Sequence, residues 1–433
     1  MGQIINRFHH KVLERFKYSS FFGSYNQIMF LLLIICGFLC AIATFLNIGA
    51  MSSAIFAGSF VLVGIWLALR IIDLFSNFKK DQDFSQLVVI SFILFAAIVG
   101  FINILIHTPI SYISFNYFKK YIMTLVIIMY CYLLCTFNSS FNYGLIVRYI
   151  FLILSFLSAF LFFSGIKANY MYPSTKQFLK FSFENANTAG LIFGLLICMG
   201  FYSILNAKKI IRLILIACTL MLFYFLILTK CRSAIYGLVG CGLLFILFTF
   251  IIRKTNANTF FSIINILIIL MPIIFSSVYL ILGLKTNFLS TFLNQGGKSS
   301  ESRMEVYLRS YQTIFNHPIT GYYFNSSRAN GAFGEQNFGL ELLIEQGIVP
   351  TIIYLSIYFL IIYKVNAKTN PFSNNYKVYI GCISCVWFSF LTGVFESSFF
   401  IGMSGWYIFA FIFIGLVPRQ TVYICNEYVE VNI

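Results

Sequence analysis

Two neighbouring cations occupy a very short polar interruption in an apolar sequence. Lys230 and Arg232 lie in the sequence TKCRS at residues 229–233, between the apolar runs 210–229 and 233–252. Arginine suits phosphate because its planar guanidinium can donate to two oxygens at once. We therefore favour an anionic ligand at this turn over the alternative, in which the two cations only anchor the chain at a membrane interface.

Other residues that could do chemistry lie in one long polar stretch, residues 284–346. About sixty residues pass there without an apolar run long enough to cross a bilayer, and they include Arg303, Arg309, Arg328 and a group of glutamates. Loops of this length in a compact fold are usually functional or disordered. Helical periodicity within the stretch favours an ordered, functional segment.

The first half of this stretch has the pattern of an amphipathic helix. The sequence SRME at 302–305 fits a capping box, and apolar residues then recur at helical spacing as far as Phe315. The helix should end at His317, because Pro318 disfavours helical geometry in the residue before it. A turn and a segment rich in Gly, Asn and Ser (residues 325–334) follow.

A second helix is predicted to begin near residues 335–337, the sequence Glu-Gln-Asn. Its apolar face consists of Leu340, Leu343, Ile344 and Gly347. Glu341 and Glu345 lie one helical turn apart, which brings two carboxylates together. For these two residues we favour a solvent-exposed helix face over a role in acid–base chemistry.

Composition places all of these residues in a membrane protein. Of the 433 residues, 60% are hydrophobic and only 10% are charged, whereas about a quarter are charged in a soluble domain. The net charge of +16 is scattered between apolar runs and does not indicate nucleic-acid binding. All three Asp lie within residues 73–83 and no two His are in ligand spacing, so neither a metal nor a cofactor is expected.

The elements that must position the candidate residues are helices. A helix needs about 20 apolar residues to cross a bilayer, and we count twelve such segments in a single all-α, polytopic domain over residues 1–433. They are residues 26–47, 52–75, 85–106, 120–137, 144–165, 187–206, 210–229, 233–252, 259–283, 347–365, 376–395 and 400–417. An even number of spans puts both termini on one side of the membrane.

The distribution of Lys and Arg orients these spans, because cytoplasmic loops carry an excess of both. Fifteen lie in the predicted cytoplasmic segments, and four, Lys119, Lys120, Lys230 and Arg232, lie in short outer loops. Both termini are therefore predicted to be cytoplasmic. Residues 166–186 and 284–346 become extracytoplasmic loops, the second between spans nine and ten, so a catalytic or binding surface would face outward.

Four short motifs follow one another in this topology. They are NANTAG at 185–190, Arg232-Ser233 at the hairpin turn, Arg303 with the later PITG at 318–321, and QNFGLELLIEQG at 336–347. Their order, spacing and side of the membrane resemble the bacterial superfamily of O-antigen ligases and O-antigen polymerases (Wzy-type), which are integral membrane glycosyltransferases. The ligases have a His, thought to activate the acceptor hydroxyl, where this chain has Gln336, and this difference favours a polymerase.

The resemblance implies an enzyme that joins undecaprenyl-diphosphate-linked oligosaccharide units outside the cytoplasmic membrane. Arg232 and Arg303 would stabilise the diphosphate leaving group by charge, as donors in pre-organised sites do. Gln336 cannot act as a general base, so Glu335 ranks first and His317 second for that role. Substrate-binding roles would fall on Lys230, Arg309, Arg328, Asn185, Asn187, Gln336 and Asn337.

The same resemblance implies a multi-pass protein of the bacterial inner membrane with a periplasmic active face. Its partners would be the lipid bilayer, a chain-length regulator protein and a flippase, with no nucleic acid. One alternative is an O-antigen ligase that uses lipid A core as acceptor. Another is a lipid-linked oligosaccharide flippase or other transporter, which is less favoured because transporters place ionisable groups near mid-bilayer.

Overall fold

A computed structural model describes the greater part of the chain, mostly as helix. The described residues are 48–76, 80–106, 115–119, 121–123, 143–164, 170–171, 178–179, 186–205, 207–248, 258–285, 299–322, 337–356, 359 and 376–396, with scattered positions between 28 and 46. Side chains near several helix ends are not among those described, including that of Arg303.

Ten helices have defined bounds within these residues. They are α1 (Gly49–Ser76), α2 (Lys80–Ile106), α3 (Tyr143–Phe163), α4 (Ala186–Leu205), α5 (Lys209–Thr229), α6 (Arg232–Ile246), α7 (Asn258–Lys285), α8 (Ser299–Asn316), α9 (Phe338–Gln346) and α10 (Tyr376–Gly393). Residues 348–356 are also helical. Two strands of two residues each, β1 (Tyr170–Met171) and β2 (Phe178–Leu179), pair antiparallel with Tyr170 opposite Leu179.

Eight of the twelve predicted segments correspond to helices α1 to α7 and α10. Segments 26–47, 120–137 and 347–365 are described only in part, and segment 400–417 lies outside the described residues. Within the described part of the chain, α4, α5 and residues 262–282 of α7 are long and apolar enough to cross a membrane. The fold is therefore helical, with membrane-type helices at its centre.

Helix α4 is the centre of the bundle, because α3, α5, α6 and α10 pack around it. Fifteen of its 20 residues are buried, as expected for a helix that is apolar on all sides. Helix α5 instead exposes large apolar side chains, among them Ile210, Leu213 and Leu220. Contiguous apolar surface of this kind suits contact with lipid better than contact with water.

The polar stretch 284–346 forms helices α8 and α9. Helix α8 ends at Asn316 and a turn follows, as Pro318 predicted. The helix begins at Ser299, so the prediction of a capping box at residues 302–305 was wrong. The physical reason is that the preceding residues Ser-Ser-Glu include no Gly or Pro and continue the helix at little cost.

Helix α9 begins within one residue of its predicted start. Asn337 is its N-cap, and the side-chain Oδ1 accepts a hydrogen bond from the backbone N–H of Leu340 at 3.0 Å. Eight of the nine residues of α9 are buried. Phe338 faces the main core, while Leu340 and Ile344 pack against α7 and α8. The helix is therefore enclosed between the bundle and α8.

Candidate functional site

The turn between α5 and α6 consists of Lys230 and Cys231. Lys230 has left-handed backbone angles, φ 53° and ψ 26°, and its N–H donates to the carbonyl of Ile227 at 3.0 Å. A non-glycine residue pays about 1–2 kcal/mol for this conformation, and such strain concentrates at functional sites. Cys231 is buried, whereas the side chains of Lys230 and Arg232 are exposed. The turn therefore displays both cations at one end of the bundle.

The NANTAG motif at the start of α4 packs directly on this turn. A Cβ atom added to Gly190 would overlap Cβ of Cys231 and lie 2.9 Å from Oγ1 of Thr229. Glycine therefore permits the close approach. The thiol of Cys231 also lies 3.6 Å from the carbonyl oxygen of Asn187. Two motifs that sequence analysis treated separately thus form one surface.

Burial controls the chemistry of the Cys231 thiol. Desolvation raises its pKa to about 11, although the Ser233 hydroxyl, 3.2 Å from Sγ, acts in the opposite direction. The thiol is therefore neutral at physiological pH. Cys231 contributes packing and a hydrogen bond to the turn and has none of the thiolate character of a reactive cysteine.

Glu396 completes the surface formed by the turn and α4. Its Oε1 accepts hydrogen bonds from Nδ2 of Asn187 at 2.8 Å and from Oγ of Ser233 at 3.4 Å. The Arg232 side chain next to Ser233 makes no hydrogen bond or ion pair to any residue in the described part of the chain. We call Asn187, Lys230, Arg232, Ser233 and Glu396 the turn cluster.

Glu396 is not among the residues predicted from the sequence to form the site. One signal could have found it, since the residue stands alone as a carboxylate in the very short turn between predicted spans 376–395 and 400–417. No motif or helical periodicity marks such an isolated residue. Its hydrogen-bond donors come from residues that are distant in sequence, so only the folded arrangement reveals the cluster.

The end of α10 connects the turn cluster to α9. Nδ2 of Asn337 donates to the carbonyl of Val394 at 3.1 Å and to that of Pro272, within α7, at 2.8 Å. The next residue, Phe395, packs edge-on against Phe275 with ring centroids 5.2 Å apart. Asn337 is fully buried and its amide is engaged at both ends, which favours a structural role over the predicted contact with substrate.

The two glutamates of α9 are buried, with Glu341 1% and Glu345 0% exposed. The hydroxyl of Tyr117 donates to Oε1 of Glu341 at 3.3 Å, and Nδ2 of Asn103 donates to the backbone carbonyl of Glu345 at 3.3 Å. The predicted solvent-exposed face was therefore wrong, because α9 is inserted between α8 and the bundle. We call Asn103, Tyr117, Asn337, Glu341 and Glu345 the α9 layer.

The turn that follows α8 docks on the end of α9. The N–H of Ile348 donates to the carbonyl of Pro318 at 2.8 Å. Gly321 and Gly347 have φ of 70° and 77°, and a Cβ atom on Gly321 would lie 2.5 Å from the backbone nitrogen of Gly347. Both positions therefore require glycine. The PITG motif and the end of the QNFGLELLIEQG motif thus meet backbone to backbone.

Helix α8 is attached to α7 by the hydroxyl of Tyr311. The Tyr311 hydroxyl lies 3.0 Å from Oγ of Ser276 and 2.6 Å from Oγ of Ser277. Arg309 is exposed on the same helix, and Arg303 lies nearer its N-terminal end. The structure therefore fixes the helix that carries both predicted arginines, and the Arg303 side chain lies outside the described residues.

Of the remaining predicted residues, the structure describes His317, which contacts the end of the turn after α8. His317 is half-buried, and its ring lies against Tyr322 with centroids 5.2 Å apart. The residues predicted to bind substrate or to act as base that lie outside the described residues are Asn185, Arg328, Glu335 and Gln336. Among the residues that the structure describes, no group of three or more His, Cys, Asp or Glu could hold a metal ion.

Comparison with known proteins gives no assignment: no family model matches the chain, and neither does any curated protein.

Proposed function

We propose that the protein is a membrane glycosyltransferase, a polysaccharide polymerase that joins undecaprenyl-diphosphate-linked oligosaccharide units. The observation that carries this proposal is the turn cluster. It combines two exposed cations on a strained turn with an amide and a carboxylate, Asn187 and Glu396, held against that turn. A lipid-linked diphosphate matches these features, because its charged group meets the cations while its chain stays in the bilayer.

In this proposal the protein supplies charge stabilisation and positioning. As the bond between the sugar and the diphosphate breaks, negative charge grows on the phosphate oxygens, and the Arg232 guanidinium stabilises that charge. Removing one such pre-organised donor typically costs about 2.7–4 kcal/mol of barrier. Arg303 on α8 supplies the second guanidinium and Arg309 supports it. The attachment of α8 to α7 through Tyr311 supports a fixed position for both residues.

The membrane arrangement is part of the same proposal. Twelve spans with both termini in the cytoplasm would put the turn cluster, residues 166–186 and residues 284–346 on the periplasmic face of the bacterial inner membrane. The charge distribution in the loops and the three helices long enough to span a bilayer support this arrangement. A chain-length regulator and a flippase are the protein partners that such a polymerase requires.

A transporter of lipid-linked oligosaccharides is the second candidate, and one observation favours it. Glu341 and Glu345 are buried in the helical bundle, and ionisable groups at membrane depth often mark transport pathways. The hydrogen bonds from Tyr117 and Asn103 instead give these residues a role in holding α9 in place. We therefore rank the polymerase first.

Deletion of the gene separates these candidates on a lipopolysaccharide ladder gel. Loss of a polymerase leaves lipid A core capped with a single repeat unit, whereas loss of a ligase leaves bare core and glycan on its lipid carrier. Loss of a flippase leaves unflipped lipid-linked units facing the cytoplasm, and this result would overturn the polymerase proposal.

Arg232→Ala tests the diphosphate-binding role directly. We expect the rate at which the purified protein extends lipid-linked units to fall by about 10²–10³, because one charge-stabilising donor is lost. Arg232→Lys should restore little, since an ammonium lacks the planar fork that binds two oxygens. Lys209→Ala is the matched control, because Lys209 is an exposed cation at the opposite end of α5. Normal extension by Arg232→Ala would show that the assignment is wrong.

A further inference from the structure

The proposed reaction lacks a base, and the turn cluster contains a carboxylate. We propose that Glu396 is the general base, which accepts the proton of the sugar hydroxyl as that hydroxyl attacks. This inference rests on the proposed function and adds to it a catalytic residue. It replaces Glu335 and His317, which sequence analysis ranked for this role.

The position of Glu396 carries the inference. Ser233, which donates to Oε1 of Glu396, directly follows Arg232, so the carboxylate is held at the first turn of the helix that begins with the cation proposed to bind the leaving group. Glu396 is half-buried, and its partner Asn187 is exposed. The carboxylate is therefore within reach of a polar ligand bound at the turn.

The hydrogen bonds at Glu396 hold its carboxylate in place at the turn cluster. Asn187 and Ser233 donate to the same oxygen from the first turns of two different helices, α4 and α6. Because the two donors belong to different helices, the position of the carboxylate is fixed by the packing of α4 against α6. The two bonds to one oxygen fix the orientation of the carboxylate at the turn.

The other glutamates whose side chains the structure describes do not meet these requirements. Glu341 and Glu345 are almost completely buried in the α9 layer, where a hydrophilic sugar would have to displace packed side chains. Among the glutamates whose side chains the structure describes, Glu396 is the one that is partly exposed, and its partner Ser233 follows Arg232 in α6. A purely structural role, in which Glu396 only joins α4 to α6, is the competing explanation that the experiment must separate.

The proposed step balances without a metal or a redox partner. The proton of the acceptor hydroxyl passes to the Glu396 carboxylate while the hydroxyl oxygen forms a bond to the anomeric carbon of the donor sugar. The bond from that carbon to the phosphate oxygen breaks, and its electron pair leaves on the diphosphate at Arg232. Glu396 then loses its proton to water. General-base catalysis of this kind contributes about 10²–10⁴ in rate.

The test is the pH dependence of glycan extension by the purified protein on lipid-linked repeat units. The wild-type rate should fall as pH is lowered through the range in which a carboxylate becomes protonated. Glu396→Gln should lower the rate by about 10²–10⁴, abolish that acidic limb and leave the KM for the lipid-linked donor unchanged. Glu396→Asp should keep the limb at a reduced rate. Asp83→Asn, in the first turn of α2, is a charge-matched control that should retain the wild-type profile.

A second measurement separates a base from a structural residue. Formate, a small carboxylate, should restore part of the activity of Glu396→Ala and leave the rate of Arg232→Ala unchanged, because only the first variant lacks a base. A Glu396→Gln protein that extends glycan at the wild-type rate, or that keeps the acidic limb, would overturn this inference alone. A wild-type protein that does not extend lipid-linked units would overturn the proposed function and this inference together.

Discussion

The turn cluster and the α9 layer contain the same chemical contact in opposite surroundings. A hydroxyl donates to a glutamate oxygen in both: Ser233 to Glu396 at 3.4 Å and Tyr117 to Glu341 at 3.3 Å. Glu396 is half-buried, whereas Glu341 is 1% exposed. The lengths of the two bonds are nearly the same, so burial is the difference. In the α9 layer the hydrogen bond takes the place of the hydration that the buried carboxylate has lost. In the turn cluster the carboxylate stays within reach of a ligand.

Two asparagines repeat the same contrast. Asn187 and Asn337 each lie at the N-terminal end of a helix, and both belong to motifs to which sequence analysis assigned substrate binding. Asn187 is exposed and donates to Glu396. Asn337 is fully buried and makes three hydrogen bonds within the protein. Residue type and motif therefore do not separate a structural polar group from one available to a ligand, whereas burial does.

The largest predicted effect is the difference in stability between Asn337→Ala and Asn187→Ala. Loss of the Asn337 side chain removes an N-cap and leaves two buried carbonyls without their donor. We expect a loss of about 3–5 kcal/mol in the free energy of unfolding. In Asn187→Ala, water can replace the lost hydrogen bond. The loss in the free energy of unfolding should therefore be less than about 1 kcal/mol. Thermal unfolding of the purified proteins in the same detergent measures both.

Equal losses in the two asparagine variants would contradict the division between a structural and an accessible region. Glycan extension gives the opposite ranking. Asn187→Ala should lower the rate per folded molecule, since Asn187 orients Glu396. Asn337→Ala should act on the amount of folded protein and leave the rate of the surviving molecules near that of the wild type.

Removal of the two hydroxyl donors, Tyr117 and Ser233, should give a smaller difference in stability than removal of the two asparagines. Tyr117→Phe removes the donor to a buried carboxylate and should cost about 1–3 kcal/mol in the free energy of unfolding. Ser233→Ala should cost less than about 1 kcal/mol, because Glu396 still accepts from Asn187 and from solvent. Ser233→Ala should in turn lower the extension rate more than Tyr117→Phe. Thermal unfolding and extension rates on the same preparations measure both quantities.

The sequence predicted the helices well because their signal is local. The predicted segment 210–229 corresponds to α5 at Lys209–Thr229, and the stop before Pro318 was confirmed within one residue. Length and apolar content decide such elements, and both are read from consecutive residues. The tight turn between α5 and α6 was predicted for the same reason, since only residues 230 and 231 separate its two helices.

The surroundings of α9 could not be predicted in this way. Its nine residues contain two glutamates, and one helical turn between them is the usual pattern of a solvent-exposed face. Their burial depends on Tyr117 and Asn103, which are more than 200 residues away in the chain. The candidate site has the same limit, because Glu396 joins Asn187 and Ser233 only in the folded protein.

The smallest expected effect concerns the thiol of Cys231, which lies beneath the exposed cations of the turn. With its pKa raised to about 11 by burial, about one molecule in 10⁴ carries the thiolate at pH 7, against about three in 100 for an ordinary thiol. Alkylation by iodoacetamide should therefore be at least about 100-fold slower at Cys231 than at a Gln312→Cys variant, whose position on α8 is exposed. Mass spectrometry of the digested protein distinguishes these sites from the other cysteines.

The pH dependence of this alkylation shows whether the turn between α5 and α6 stays closed in solution. If the thiol stays buried, the Cys231 rate should keep rising up to about pH 10, because its pKa lies above that value, whereas the rate at Gln312→Cys should level off near pH 9. A Cys231 rate that levels off with that of the exposed thiol would mean that the turn opens away from Gly190 in solution. The two cations would then have no fixed position, and the pre-organised charge that the proposed mechanism requires of Arg232 would be lost.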